Sequence, residues 1–155
     1  MPISTNKFKK TLGSFATGVT VVTTSLDNKP YGLTVNAFSS LSLDPPLVLI
    51  CIDKKSESNK ILKRSKIFAV NILNQNQKHL SKIFSDSTNR NRFRDVKTTT
   101  KTTGSPIIVN SLGYIDCTVK KIISAGDHNI FIGNIKSLNN KNLDPLIYYR
   151  GNYLG

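Results

Sequence analysis

Residues Tyr114 to Leu138, YIDCTVKKIISAGDHNIFIGNIKSL, decide how the rest of the chain is read. Tyr114 to Ile123 alternates, with Ile115, Cys117, Val119 and, at its far end, Lys121 on one face, and a period of two belongs to a half-covered strand. Asn129 to Leu138 continues the pattern with Ile130, Ile132 and Ile135. Between them, Ser124-Ala125-Gly126-Asp127-His128 has the composition of a turn. Two long strands joined by a turn set the class: this end of the chain is β.

Working back toward the N-terminus gives more of the same. Phe68 to Leu73 reads as a strand, and Leu47 to Ile52 is a continuous apolar run of strand length, which predicts a buried strand. Pro45-Pro46 before it stops any helix and keeps the chain extended. Val19 to Thr24 is β-branched, Asp27-Asn28-Lys29-Pro30 is a turn cluster, and Tyr31 to Val35 returns, so a hairpin is expected. Asn36 to Ser42 reads as irregular. Helices are few. Phe8, Leu12 and Phe15 predict one over Thr5 to Thr17, capped by Ser4 or Thr5 and followed by Gly18. A short one is expected over Asn59 to Ser65 and another over about Gln75 to Phe84, with Leu80, Ile83 and Phe84 on one side. Ser85 to Thr103 is polar and basic, almost without apolar residues, and reads as a long loop. Many short strands with two or three helices point to a mainly β domain, a barrel or a sandwich.

The chain has 155 residues and 17.2 kDa, with 38% hydrophobic and 20% charged residues, which fits one globular domain spanning 1–155. No apolar run approaches the ~20 residues that cross a bilayer, and MPISTNKFKK lacks a secretory apolar core, so no membrane and a cytoplasmic location are expected. The net charge is 22 − 9 = +13, from 17 Lys and 5 Arg against 9 acidic residues. Lysine is the weaker choice for bidentate phosphate and base contacts, and no nucleic-acid motif is present. A solvated surface that attracts anionic ligands is the expectation, with no nucleic-acid partner.

The usual catalytic constellations are missing. There is no Gly-x-Ser-x-Gly elbow, and neither Cys51 nor Cys117 has a histidine beside it in sequence. His79 and His128 are the only histidines and Glu57 the only glutamate, so no metal site is expected. No phosphate-cradling glycine motif occurs. What remains is polar density between strands: Thr34, Asn36, Ser39, Ser40 and Ser42 before Asp44-Pro45-Pro46, then Ser56 and Ser58 after the next strand. Hydroxyls and free amides at strand ends suit an anionic phosphate, though the same residues also build ordinary turns.

Five blocks taken together are more specific. Phe15-Ala16-Thr17-Gly18-Val19-Thr20-Val21-Val22-Thr23-Thr24 resembles the opening of the short-chain flavin reductase family, and Gly32 to Leu47, GLTVNAFSSLSLDPPL, is similar to its central signature. Phe68-Ala69-Val70-Asn71-Ile72-Leu73, Gly126-Asp127-His128 and Tyr149-Arg150-Gly151-x-Tyr153 follow in the family's order. The likeness runs from about Phe8 to Tyr153.

That resemblance implies an FMN-binding split β-barrel of Greek-key type, a homodimer with FMN or FAD near the subunit interface. It implies reduction of flavin by NADH or NADPH and supply of the product to a separate monooxygenase. A flavin-carrying module without turnover is the alternative. By the same resemblance, Thr34, Asn36, Ala37, Ser39 and Ser40 would line the flavin site, and Cys51, Ile52 and Asp53 would border the ring. Ser56 and Ser58 would stand on the phosphate side, with Lys54, Lys55 or Lys60 adding charge. Phe84 would lie beside the pocket or in the core, His128 would meet the nicotinamide, and Tyr149 and Arg150 would sit nearby. Hydride transfer between two cofactors needs no strong protein acid or base, which accounts for the empty search for one.

Overall fold

A computed structural model describes residues 1–154. Its elements in chain order are α1 (Thr5–Leu12), β1 (Thr17–Gly18), β2 (Thr20–Leu26), β3 (Lys29–Val35), β4 (Phe38–Ser42), β5 (Leu47–Asp53) and α2 (Glu57–Ser65). They continue with β6 (Ile67–Ile72), a 3-10 turn (Gln75–Gln77), α3 (Lys78–Ser85), β7 (Thr98–Thr99) and β8 (Ile107–Ile108). The chain closes with β9 (Gly113–Ala125), β10 (His128–Asn140), β11 (Ile147–Tyr149) and β12 (Asn152–Leu154). No helix among the described residues is long and apolar enough to cross a membrane.

Seven strands form one antiparallel sheet in the order β3-β2-β6-β9-β10-β5-β4. Its two edges, β3 and β4, are consecutive in the chain and separated only by Asn36 and Ala37. So short a link reaches only a few ångströms per residue, which forces the edges together and curls the sheet into a barrel. The Cys51 amide donates to the Ala37 carbonyl at 3.0 Å and fastens the closure. β1, β11 and β12 make a separate three-stranded sheet, and β7 pairs with β8.

Two apolar clusters hold this together. Inside the barrel are Val22, Val48, Ile50, Phe68, Val70 and Phe131. Outside the β2 wall are Val19, Val21, Leu73, Phe84, Ile108 and Leu146. β2 is therefore covered on both faces, as its β-branched composition suits. The long hairpin β9–β10 carries register shifts at Ile132/Gly133 and Ile135/Ser137, so both Asp116 and Cys117 are buried where strict alternation would expose one.

Burial, reinforced by the neighbouring Asp116 carboxylate, pushes the Cys117 thiol up to about 12. An unfolded thiol ionises near 9, so the stability this group contributes is complete below that pH and fades as pH climbs toward the folded value. The melting temperature should fall above pH 9 more steeply in the native protein than in Cys117→Ala; parallel pH profiles of the two would refute this.

Several boundaries differ from the sequence reading. The Asn36 to Ser42 stretch is not irregular: β4 occupies Phe38–Ser42, an edge strand that pairs only with β5 and is largely exposed, so serines suffice there. The first helix stops at Leu12, capped by Gly13 rather than Gly18, because Thr17 and Gly18 are drawn into a ladder with Tyr148 and Ile147. Ser4 caps its start, accepting from the Lys7 amide. Asp27 and Asn28, both at positive φ, make a two-residue turn, and Lys29 and Pro30 already belong to β3. Pro30 is tolerated because β3 is an edge strand. The long basic segment is not free of apolar anchors. Phe93 packs edge-on to Phe84 at 5.0 Å, and Arg92 donates to the Gly32 and Asp86 carbonyls at 2.7 and 2.8 Å. Farther on, the Thr103 amide donates to buried Asp116 at 2.9 Å.

Candidate functional site

One end of the barrel collects most of the residues singled out above. β5 runs out at Asp53, and register places Asp53 opposite His128, Ile52 opposite Asn129 and Cys51 opposite Ile130. The β3–β4 link, Asn36-Ala37, lies against the same end through the Ala37–Cys51 bond, and Ser39 and Ser40 follow on the β4 edge. α2 starts directly after β5, bringing Ser56 and Ser58 alongside. Asn36, Ala37, Cys51, Asp53, Ser56 and His128 thus meet at this end, whereas Ser39 and Ser40 stand opposite Leu49 and Val48, nearer the start of β5, and Ser58 lines a cleft with Tyr31, Gly32 and Arg92. Ile52 is the exception there, because its side chain points into the barrel and is 2% exposed.

The two faces of β5 differ. Val48, Ile50 and Ile52 are buried, whereas Leu47, Leu49 and Cys51 are half-buried on the outer side. The paired positions Ile130, Ile132 and Ile123 extend that outer apolar strip across β10 and β9. The continuous apolar run is a strand buried on one face and half-covered on the other in this protomer. Desolvation pushes the Cys51 thiol above its usual value, so it is an apolar wall rather than a nucleophile.

Hydrogen bonds divide the serines into those already committed and those still free. Ser56 caps α2: its hydroxyl donates to the Asp53 carbonyl at 2.9 Å and accepts from the Asn59 amide at 3.2 Å. Ser39 donates to the Ser40 carbonyl at 2.8 Å. Ser58 and Ser40 have no side-chain partner among the described residues, and the Glu57 and Ser58 amides open the helix without intrahelical acceptors. Thr34 is engaged elsewhere, donating to the Ser81 carbonyl at 2.6 Å, and Ser81 in turn shares a 2.8 Å bond with the Tyr153 hydroxyl.

His128 sits beside Asp127, Nδ1 to Oδ1 at 2.7 Å. That bond, then the imidazole's charge, holds the Asp127 carboxyl below the usual carboxylate range. An ionised carboxylate only accepts, so Nδ1 carries the proton, and in the neutral ring Nε2 is left as an outward acceptor. The side chain is 44% exposed and available to a ligand.

Two groups of candidates lie apart. Phe84 is 1% exposed within the second cluster, where its ring stands against the backbone of Gly32. Tyr149 and Arg150 belong to the small sheet near α1: the Arg150 amide donates to the Gly13 carbonyl at 3.0 Å and its guanidinium lies over the Tyr149 ring. No hydrogen bond or ring contact among the described residues joins them to the His128 region.

Sequence reasoning overlooked a buried pair behind the site. Asn59 donates to the Ile52 carbonyl at 3.1 Å and accepts from Asn129 at 2.9 Å, tying the end of β5 to the start of β10. Neither asparagine shows a periodic signal in the sequence, since both stand at element ends where asparagine is ordinary turn chemistry.

Chemically, the region offers an apolar strip, a polar rim, a helix N-terminus and an imidazole acceptor. No base stands beside its hydroxyls or the Cys51 thiol to activate them, and no cluster of metal-ligating side chains occurs among the described residues. A planar, phosphorylated aromatic cofactor fits that donor set.

Comparison with known proteins gives the family. Residues 12–155 match the flavin reductase-like domain model. The chain is 41% identical over 156 aligned residues to the reductase subunit HsaB of a flavin-dependent monooxygenase from Mycobacterium tuberculosis, covering 99% of this chain and 83% of that protein. Among solved structures, flavin reductase PheA2 is 39% identical with a TM-score of 0.91, covering 98% of this chain and 97% of that one. The NADH:FAD oxidoreductase SgcE6 of Streptomyces globisporus C-1027 is 30% identical with a TM-score of 0.94, covering 99% and 94%.

Proposed function

This chain belongs to the flavin reductase-like family and is an NAD(P)H:flavin oxidoreductase, and we propose that it reduces FMN or FAD at the β5–β10 end of its barrel. Its role is that of a reductase component supplying reduced flavin to a monooxygenase. The observation that carries the placement is the half-buried strip of Leu49, Cys51 and Ile130, with the Asn36-Ala37 link fastened to Cys51 and His128 opposite Asp53 at the strand's end.

A bound flavin supplies the electron-accepting ring, and the nicotinamide supplies the hydride. The protein's share is position. Leu49 and Cys51 offer an apolar bed for a ring, and exclude water from it. The Asn36-Ala37 and Ser39-Ser40 main chain and hydroxyls meet polar ring edges and the ribityl chain. Ser58 and the first-turn amides of α2 receive phosphate, while Ser56 holds that turn in shape. Lys55 and Lys60 supply positive charge around it. Nε2 of His128 accepts from a carboxamide N–H of the nicotinamide. Thr34 acts indirectly, fixing the β3–β4 link through Ser81. Ile52 and Phe84 serve as packing behind the site rather than as contacts.

We also propose a homodimer. Beyond the proposed ring bed the outer strip continues through Ile132 and Ile123, and Phe8, Leu12 and Phe15 stand 55%, 56% and 76% exposed. A second copy would cover such surface and bring Tyr149 and Arg150 toward a site they do not reach within one protomer. The whole described chain works as one domain, in the cytoplasm, where pyridine nucleotides are turned over.

Anaerobic mixing with NADH and FMN, then FAD, should bleach the flavin absorbance, and the faster flavin is the physiological one. Flavin left oxidised by both NADH and NADPH would overturn the catalytic reading in favour of a carrier. His128→Ala should raise the NADH KM on the order of tenfold while flavin affinity changes less than about twofold. Loss of flavin affinity with unchanged NADH kinetics would move His128 to the flavin side.

A further inference from the structure

We propose that Lys54 is a positioning residue for the nicotinamide side, clamping the turn that carries His128; the inference rests on the reading of His128 given above. Lys54 follows the last residue of β5, and Asp53 lies opposite His128 in the ladder, so the Lys54 backbone emerges against the β9–β10 turn. Its amide donates to the Asp127 carbonyl at 2.9 Å. Its ammonium donates to the Ser124 hydroxyl at 2.7 Å and to the Gly126 carbonyl at 2.6 Å. One residue therefore grips three of the four positions immediately before His128.

The turn needs such a grip. It has two residues, and Gly126 takes φ +58, a conformation glycine reaches without steric cost but does not enforce. Gly126 and Asp127 are exposed and bury nothing that would pin them. The direction of the His128 ring depends on Asp127, and the direction of Asp127 depends on the turn. Charge-assisted bonds of the Lys54 kind are stronger than neutral ones and supply the missing rigidity.

A competing use of Lys54, as a point charge on flavin phosphate, is disfavoured by geometry. Two of the three ammonium hydrogens are already spent on Ser124 and Gly126. Lys55 and Lys60 keep their ammonium groups free of partners among the described residues and are better placed in chemical terms for that work. Because Lys54 is exposed, removing its head group should barely change global stability.

Lys54→Met keeps the apolar stem and removes the three donors. In the full-length protein, anaerobic flavin bleaching against NADH concentration should show the NADH KM raised about three- to fivefold, less than removal of the imidazole itself, since a misaimed hydrogen bond keeps part of its worth. Flavin affinity, read by fluorescence quenching, should change less than about twofold, and amide exchange at Gly126 and Asp127 should accelerate. Ser124→Ala should have a weaker effect that is not additive with Lys54→Met. Salt-dependent loss of flavin affinity in Lys54→Met would overturn the proposal and assign the lysine to phosphate. Unchanged NADH kinetics in Lys54→Met beside impaired His128→Ala would overturn it as well. If His128→Ala itself leaves NADH kinetics intact, the reading of His128 falls, and the proposal falls with it.

Discussion

Asn59→Ala should destabilise the protein by about 3 kcal/mol and weaken flavin binding together, because one buried side chain supports both. Asn59 is 2% exposed and spans from the Ile52 carbonyl to the Asn129 amide, directly behind Cys51, Asp53 and His128. Truncation leaves the Asn129 donor buried without an acceptor and the Ile52 carbonyl without its side-chain donor. The cost of such orphaned groups exceeds the net worth of the bonds themselves. For a chain of this length the melting temperature should drop by roughly 10 °C, and urea denaturation should shift its midpoint without changing its slope. The functional half is separable. With β5 and β10 no longer tied at their ends, the Asp53–Ser58 turn should loosen and flavin affinity should fall on the order of tenfold at temperatures where the fold is intact. Native-like stability in Asn59→Ala would remove the asparagine bridge from the account of this site.

Gly133→Val should be at least as damaging, by about 3 kcal/mol or more, without touching any candidate ligand contact. A Cβ on Gly133 would stand 2.5 Å from Cζ of Phe68 and 3.0 Å from Cβ of Cys117. Phe68 is fully buried in the barrel interior and has nowhere to retreat, and Cys117 is held by the β9 backbone. The register shift beside Gly133 lies in the facing strand, where Lys120 is the extra residue between Val119 and Lys121. Poor soluble yield and loss of the cooperative thermal transition are expected. Phe68→Leu combined with Gly133→Val should recover part of the loss by giving back volume. If Gly133→Val folds with native stability, the packing of Phe68 against this strand is wrong.

How far the sequence was readable depended on what each signal reported. The β9–β10 hairpin was legible because alternation records a covered face, and Leu47 to Ile52 was legible because apolar residues cluster where water is excluded. β4 was not legible. A serine-rich edge strand gains its hydrogen bonds from β5 and buries little, so its composition is that of a loop. The end of α1 was misread because its apolar stripe continues to Phe15, while the backbone of Thr17 and Gly18 is claimed by Tyr148 and Ile147 far along the chain.

The candidate site divides the same way. Ordered blocks from Phe15 to Tyr153 were enough, by resemblance, to imply the family and a flavin near the central serines. They could not say which hydroxyls are free. Thr34 and Ser56 have the same chemistry as Ser40 and Ser58, but their hydroxyls are committed to Ser81, Asp53 and Asn59.

From its own residues this chain determines a mainly β domain, a basic surface and the absence of nucleophilic motifs, since periodicity, charge and spacing are local properties. Barrel closure, the two-sided difference of β5, the commitment of each hydroxyl and the grip of Lys54 were decided only in three dimensions. The physical reason is separation: Thr34 and Ser81 stand 47 residues apart, Asn59 and Asn129 stand 70, and Lys54 and Gly126 stand 72. Hydrogen bonds act over about 3 Å of space and leave no period in the sequence that forms them.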